Sequence, residues 1–368
     1  MCKVRLGIIG VGVMGSGHAK YVMDGSISRC ELTAVADANP ANLAKFRSLK
    51  CFADSHEMIL SGEVDAVLIA TPHFFHTAAG IDALQNGLHV LVEKPISVHK
   101  ADAERLIAAH TNKDQVFAAM FCVRTVPQYK KIKQMIDKGE LGKIERITWI
   151  GTDWFRTAAY YRSSAWRATW KGEGGGVLLN QCPHQLDLLQ WMCGMPSRIH
   201  AFCDLGFYHD IEVEDRVTAF MRYPNGATGV FITSTGEAPG TNRLEIAGEM
   251  GKLVLENGKL TFTRNEVSAR VFCDTSDALM GMPEVWNAQI PITGAGGLHA
   301  EITQNFVDAI LDGKPLIAPA EEGIKSIELA NAMLYSSLKN TAVELPLDGA
   351  AFEIELQRLI DASSSNKR

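Results

Sequence analysis

The sequence has no C-x-x-C pair, no lysine and arginine block that would line a basic groove, and no apolar run long enough to span a bilayer. It also has no internal repeat and no low-complexity tract. Its eight cysteines, Cys2, Cys30, Cys51, Cys122, Cys182, Cys193, Cys203 and Cys273, are scattered and mostly lie within or beside apolar runs, where a thiol behaves as a small hydrophobe. A reduced intracellular protein is the simplest reading, with neither nucleic acid nor membrane as partner. The short apolar run near the N-terminus reads as a first strand rather than a signal peptide, so a cytoplasmic location is expected. The 368 residues, 46% hydrophobic and 21% charged with a net charge of −6, suit a soluble globular chain of two domains.

The informative stretch is Leu6 to Gly17, LGIIGVGVMGSG. An apolar run, Val4 to Ile9, meets Gly10, Gly12 and Gly15 in the spacing G-x-G-x-x-G, and a helix starts at once behind it. That order is what a dinucleotide needs. Gly10 makes the tight turn, Gly12 admits the pyrophosphate, and Gly15 lets the helix pack on the strand, with the first-turn N–H groups around Val13 and Met14 aimed at the phosphates. A second apolar strand, Leu32 to Ala36, ends at Asp37, whose carboxylate suits the adenosine ribose hydroxyls and repels a 2′-phosphate. No arginine follows it, so NAD is favoured over NADP.

Up to about Phe121 short strands alternate with helical segments, the pattern of a parallel sheet covered on both faces. The strand Ala66 to Ala70 runs into Thr71, Pro72, His73, Phe74, Phe75 and His76, a loop placed to line the cofactor. His73 and His76 without a nearby carboxylate or cysteine are thin evidence for metal, and none is expected. The strand His89 to Val92 delivers Glu93, Lys94 and Pro95 to the carboxyl edge of the sheet, Lys94 pointing toward the nicotinamide end. A strand follows from Gln115 to Phe121, and Arg124, which opens the irregular stretch behind it, is counted with the cofactor contacts.

From Ile144 the pattern alternates over two. Arg198 to Leu205, Val213 to Tyr223, Ala227 to Thr235, Arg243 to Ala247, Lys252 to Leu255 and Lys259 to Thr263 read as strands, with Asn225-Gly226 and Asn257-Gly258 as hairpin turns. This predicts an α/β chain: a Rossmann domain over residues 1–122 and, over 123–368, a second α/β domain with a large, mostly antiparallel open sheet. The helices expected on one face of that sheet are Pro183 to Cys193, Ala300 to Leu311 and Gly323 to Leu338. An open opposite face suits a second copy, so a homodimer or homotetramer is expected. The polar tail Ser363 to Arg368 is expected to fray.

Between these patterns lies Trp166-Arg167 and then GGGVLLNQCPHQLD from Gly174 to Asp187. Three successive glycines suggest close approach by another backbone or a ligand. Pro183 suits the first position of a helix, placing His184 in its first turn, where the helix dipole keeps the imidazole neutral. Asp187 reads as structural. Tyr160, Tyr161, Trp166, Arg167 and Trp170 are candidates for stacking on a sugar ring, and His299 is a weaker one at a late helix start.

Five segments in order, GVGVMGSGHAK, ATPHFFH, VEKP, WRATWKGEGGG and NQCPHQLDLLQW, resemble the glucose-fructose oxidoreductase, inositol dehydrogenase and rhizopine catabolism (Gfo/Idh/MocA) family over almost the whole length. The resemblance implies NAD or NADP chemistry on sugars, inositols or related alcohols, with Lys94 and His184 as the catalytic pair and Trp166 and Arg167 near the nicotinamide. It also implies an aspartate four residues before the histidine, and here that residue is Asn180, which hydrogen-bonds but takes no proton. The expectation is an NAD-dependent dehydrogenase that oxidises a secondary hydroxyl of a sugar, glycoside, anhydrosugar or inositol. His184 is read as the base, Lys94 as hydrogen-bond donor to the same oxygen, and Asn180 as the residue orienting the ring, with the first two roles exchangeable. An NAD-recycling lyase or glycosidase and a non-catalytic NAD-binding regulator are the alternatives.

Overall fold

The computed structural model describes residues 3–366, so Cys2, Lys367 and Arg368 lie outside the described residues. Six parallel strands form the first sheet: β1 (Val4–Ile9), β2 (Cys30–Ala36), β3 (Lys50–Phe52), β4 (Ala66–Ile69), β5 (His89–Val92) and β6 (Phe117–Ala119), in spatial order β3-β2-β1-β4-β5-β6. The order reverses between β1 and β4, and the loops behind those two strands form the crevice in which such sheets bind ligands. β1, β4 and β5 are near-continuous apolar runs because helices cover both faces.

The second sheet has nine strands: β7 (Ile144–Gly151), β8 (Arg198–Leu205), β9 (Glu214–Arg222), β10 (Thr228–Ser234), β11 (Asn242–Gly248), β12 (Gly251–Glu256), β13 (Lys259–Asn265), β14 (Val285–Ile290) and β15 (Val343–Glu344). All its pairings are antiparallel except β7 with β10. Asn225-Gly226 and Asn257-Gly258 sit in the β9–β10 and β12–β13 hairpins, with both Asn257 and Gly258 at positive φ. Helices Pro183–Cys193 and Gly323–Lys339 cover one face through Leu186, Leu189, Leu329 and Met333. On β8 and β9 the other face carries Phe202 and Phe220, 61% and 43% exposed.

The third helix goes elsewhere. Leu298–Asp312, expected over the second sheet, buries Ile302, Phe306 and Val307 in the core of the first, together with Ala318 and Ala320. The first core is therefore not confined to residues before Cys122; the chain crosses into the second sheet and returns. Strands β3, β14 and β15 and the long helix Gly349–Asn366 are further additions to the sequence reading. That last helix carries Ser363 in regular structure.

Candidate active site

The glycine turn has the geometry a dinucleotide requires. Gly10 has φ +85°, and a Cβ there would stand 2.9 Å from the backbone of Ala70 and Thr71. A Cβ on Gly15 would lie 1.9 Å from the Gly10 carbonyl oxygen, so helix and turn touch. A Cβ on Gly12 meets nothing within 4 Å, leaving open space where a pyrophosphate would approach. The helix Val13–Met23 starts at Gly12 with no side-chain cap, and Val13 and Met14 are exposed at its mouth. Asp37 is held beside the turn: its carboxylate accepts from Val11 N at 2.9 Å, Asn39 N at 2.8 Å and Asn42 Nδ2 at 3.1 Å. The cradle fits NAD.

At the other end of the crevice β5 delivers Glu93 and Lys94. Glu93 is buried, accepts from His18 Nε2 at 2.7 Å and holds the Lys94 backbone N–H at 3.0 Å. Burial works to raise its pKa, but the His18 hydrogen bond and the Lys94 charge outweigh it and hold the carboxyl down at about 2. Lys94 Nζ reaches across to the second domain and donates to the Asn180 carbonyl oxygen at 3.2 Å. The lysine's charge bears on Glu93, Cys122, Glu173 and His184 alike, so Nζ stands among them.

Asn180 and His184 arrive together because the segment before their helix is pinned from behind. Glu214 at the start of β9 accepts the Gly176 and Leu178 N–H groups at 2.8 and 3.0 Å, and a Cβ on Gly176 would sit 2.0 Å from the Glu214 carbonyl oxygen. The close approach expected of the triple glycine is thus to another backbone. Asn180 Nδ2 donates to Glu173, while Asn180 Oδ1 accepts from Tyr160 OH at 3.3 Å. His184, half-buried at the first turn of its helix, has its pKa lowered to about 3, first by desolvation and then by the Lys94 charge. The neutral imidazole is as expected, though burial rather than the helix dipole dominates. Cys122 Sγ lies 3.9 Å from His184 Nε2 and 3.6 Å from His299 Nε2, and burial pushes its thiol up to about 12. His299 packs edge-on against His18 with ring centroids 5.4 Å apart, so the late-helix histidine does join the site.

Other candidates separate. Trp166 meets the buried His73 ring edge-on at 5.8 Å, bridging the domains, and Arg167 donates to Tyr160 OH at 2.7 Å. Thr71 and Pro72 lie in the loop behind β4, and Thr71 Oγ1, His184 Nδ1 and Arg167 Nε are buried without a protein partner. His76 turns inward: its ring nitrogens lie 2.8 Å from the Pro95 and Thr71 carbonyl oxygens, tying the loops behind β4 and β5 together. Trp170 is 4% exposed and belongs to the second core, and Tyr161 OH is bonded to Thr235 at 2.7 Å. Arg124 is no cofactor contact, because its guanidinium is 1% exposed and bidentate to Asp187 at 2.6 and 2.8 Å, with Glu322 at 2.6 Å. Asp187 is structural, as read. His18, Cys122 and Glu173 escaped the sequence reading. Among the described residues His73 and His76 belong to no cluster of metal-ligating side chains.

The fold, the glycine turn and Asp37 define an NAD-binding oxidoreductase. The chain belongs to the Gfo/Idh/MocA family: residues 4–121 match its NAD-binding Rossmann domain and residues 129–254 its C-terminal domain. It is 28% identical over 275 residues to myo-inositol 2-dehydrogenase of Thermotoga maritima, spanning 70% of this chain and 77% of that one. Levoglucosan dehydrogenase of Pseudarthrobacter phenanthrenivorans is 24% identical and covers 94% of this chain and 99% of its own. The WlbA dehydrogenase of Bordetella pertussis, solved with NADH and UDP-GlcNAcA, shares the fold with a TM-score of 0.78 at 24% identity, over 94% of this chain and all of that one. No helix among the described residues is long and apolar enough to cross a membrane.

Proposed function

We propose that this protein is an NAD-dependent dehydrogenase that oxidises a secondary hydroxyl of a sugar, glycoside, anhydrosugar or inositol to a ketone. The observation that carries the reading is the meeting of Lys94, from the edge of the Rossmann sheet, with the Asn180 and His184 segment of the second domain. Gly10, Gly12, Val13, Met14, Gly15 and Asp37 would hold the dinucleotide, with Thr71, Pro72, His73, Glu93, Trp166 and Arg167 around its nicotinamide half. NAD, when bound, supplies the hydride acceptor. The proton falls to this chain.

We assign proton acceptance to Lys94 because His184 resists the charge that accepting a proton would give it. An imidazole whose pKa has fallen to about 3 resists becoming imidazolium, and the adjacent lysine charge adds to that resistance. His184 then acts as a neutral hydrogen-bonding partner of the reacting oxygen, and Lys94, entering oxidation as the neutral amine, takes the hydroxyl proton to become the ammonium and returns it in reduction. This exchanges the two roles relative to the sequence reading, for an electrostatic reason. Asn180 orients Lys94 through its carbonyl oxygen rather than the imidazole. The exposed Phe202 and Phe220 face supports a homodimer or homotetramer formed through the second sheet.

The test is nicotinamide absorbance with NAD against inositols, free sugars, anhydrosugars and glycosides, with Lys94→Ala alongside. Stoichiometric NADH and a keto product, abolished by the substitution, support the dehydrogenase. Altered sugar without net NADH replaces it with an NAD-recycling lyase or glycosidase, and NAD binding without any turnover replaces it with a regulator.

A further inference from the structure

We infer that Glu173 is the acid of this site, a positioning carboxyl whose ionisation sets the orientation of the Asn180 amide and, through it, the direction of the Tyr160 hydroxyl proton. The inference rests on the dehydrogenase reading only for what the switch regulates. The switch itself is a matter of donors and acceptors.

Glu173 is 2% exposed and both its oxygens are engaged. Oε2 accepts the Ala168 N–H at 2.7 Å, and Oε1 accepts from Asn180 Nδ2. With that donor fixed, Asn180 must present Oδ1 to Tyr160, and the Tyr160 hydroxyl donates to it at 3.3 Å. The same hydroxyl oxygen accepts from Arg167 Nη1 at 2.7 Å and Gln181 Nε2 at 3.2 Å, so its single hydrogen is committed to Asn180. Protonation of Glu173 reverses the sequence. A backbone N–H keeps Oε2 an acceptor, so the added proton goes to Oε1, where it faces the Asn180 amide. Two donors cannot face each other in a buried pair. The amide turns over, Oδ1 accepts from Glu173, and Nδ2 donates to the Tyr160 oxygen in place of the longer Gln181 bond, since that oxygen has two lone pairs and Arg167 keeps one. The tyrosine hydrogen is freed. One proton taken up by Glu173 thus becomes one hydrogen-bond donor freed at Tyr160, on the residue that also bonds Lys94 through Asn180, with no bond broken other than hydrogen bonds.

The charged and titratable groups around Glu173 are Arg167, 3.9 Å away, Lys94, Tyr161 and Glu214, together with the His73 ring, 3.5 Å from the Glu173 carbonyl oxygen. Burial lifts the Glu173 carboxyl to about 7 against the pull of its hydrogen bonds and of both cations, so the switch turns over near neutrality. Asn180 takes no proton itself, and Glu173 is the carboxyl that holds its amide.

Difference infrared spectroscopy of the whole protein over a pH series reads the protonated-carboxyl stretch directly, without turnover. The expected result is a carboxyl titrating near neutrality that Glu173→Gln removes and Glu214→Gln does not. The Tyr160 ring and C–O bands should change in step with that carboxyl, and Asn180→Ala, which removes the amide from both forms, should leave the carboxyl titrating but abolish the coupled Tyr160 change. The pH profile of kcat should carry a limb near neutrality that Glu173→Gln loses, with NAD affinity retained, and that Glu173→Gln combined with Asn180→Asp regains. A neutral limb unchanged in Glu173→Gln, or Tyr160 bands that still follow the carboxyl in Asn180→Ala, overturns the inference. If Glu173→Gln does not fold, the Tyr160 bands of Asn180→Ala decide alone. Absence of NADH formation with every substrate removes the dehydrogenase reading, and the infrared titration still decides the switch.

Discussion

A His184→Asn enzyme keeps a neutral hydrogen-bonding side chain at the start of the Pro183–Cys193 helix and loses only the imidazole. The fall of His184 from 6.5 to about 3 disfavours its cation by roughly 5 kcal/mol, at about 1.36 kcal/mol per pH unit. A group so opposed to charge contributes a hydrogen bond to the reacting oxygen rather than a home for its proton. Such a bond is worth about 1.5–3 kcal/mol when its partner carries charge, or roughly 10- to 150-fold in kcat. Removing the proton acceptor itself, in Lys94→Ala, lowers kcat by about 10²–10⁴. The two ranges meet near a hundredfold, so pH dependence is what separates them. NADH formation measured over a pH series should give His184→Asn the wild-type profile at reduced height, whereas Lys94→Ala loses the limb that belongs to proton acceptance. A His184→Asn enzyme that loses that limb, beside a Lys94→Ala enzyme that keeps it, would refute the assignment of roles.

The glycine turn makes a paired prediction: Gly12→Val leaves the melting temperature unchanged but weakens NAD at least about tenfold, whereas Gly15→Ala, with its Cβ 1.9 Å from a carbonyl oxygen, destabilises the fold by about 1–3 kcal/mol. Calorimetric titration and urea denaturation read the two effects separately. Asp37→Ser should raise the affinity for NADP relative to NAD, measured as the ratio of their dissociation constants, because the charge that repels a 2′-phosphate is gone. Glu173 and Glu214 are each raised from 4.5 to about 7, so the folded state holds their protons more tightly than the unfolded state does. Stability from this source is greatest at acid pH and falls as pH rises through about 7, by up to roughly 3 kcal/mol for each taken singly. Between pH 4.5 and 7 the stability of the wild type relative to Glu214→Gln, read from the mid-points of urea unfolding, should therefore decline.

The parts of the site that could be read from the sequence are those whose cause is local. The glycine turn, the acid closing β2, the lysine closing β5 and the histidine behind Pro183 each depend on a few adjacent residues, and each lies where its own segment puts it. Glu173 carries no such mark, since a glutamate in WKGEGGG reads as a solvated charge until the fold buries it against Ala168 and Asn180. Arg124 misled for the opposite reason. Its place behind β6 brings it to the carboxyl edge of the sheet, but its partners are Asp187 and Glu322, 63 and 198 residues further on. The apolar stripe of Leu298–Asp312 shows that one face is buried and not which core receives it. Strand β14, with no fully buried position, and β3, three residues long, lack the alternation that reveals a strand.

That returning helix gives the site its rigidity. It brings His299 against His18, on the helix of the glycine turn, and to within 3.6 Å of Cys122, which lies 3.9 Å from His184. Arg124 works in parallel from the crossing between domains, holding Asp187 on the His184 helix and Glu322 at the foot of Gly323–Lys339, in a pair with Asp187 that is 1% exposed on both sides. A buried ion pair adds little net stability over a well-packed apolar one, but breaking it costs about 3–5 kcal/mol, so it is strict about geometry. Two elements that never touch the reacting atoms thus fix the imidazole relative to the lysine, across a boundary the chain crosses and recrosses. Under the proposed dehydrogenase reading, hydride transfer would need that precision, because effective concentration falls steeply when reacting groups drift by an ångström. On that reading, the repeated crossing of the domain boundary serves the catalytic geometry.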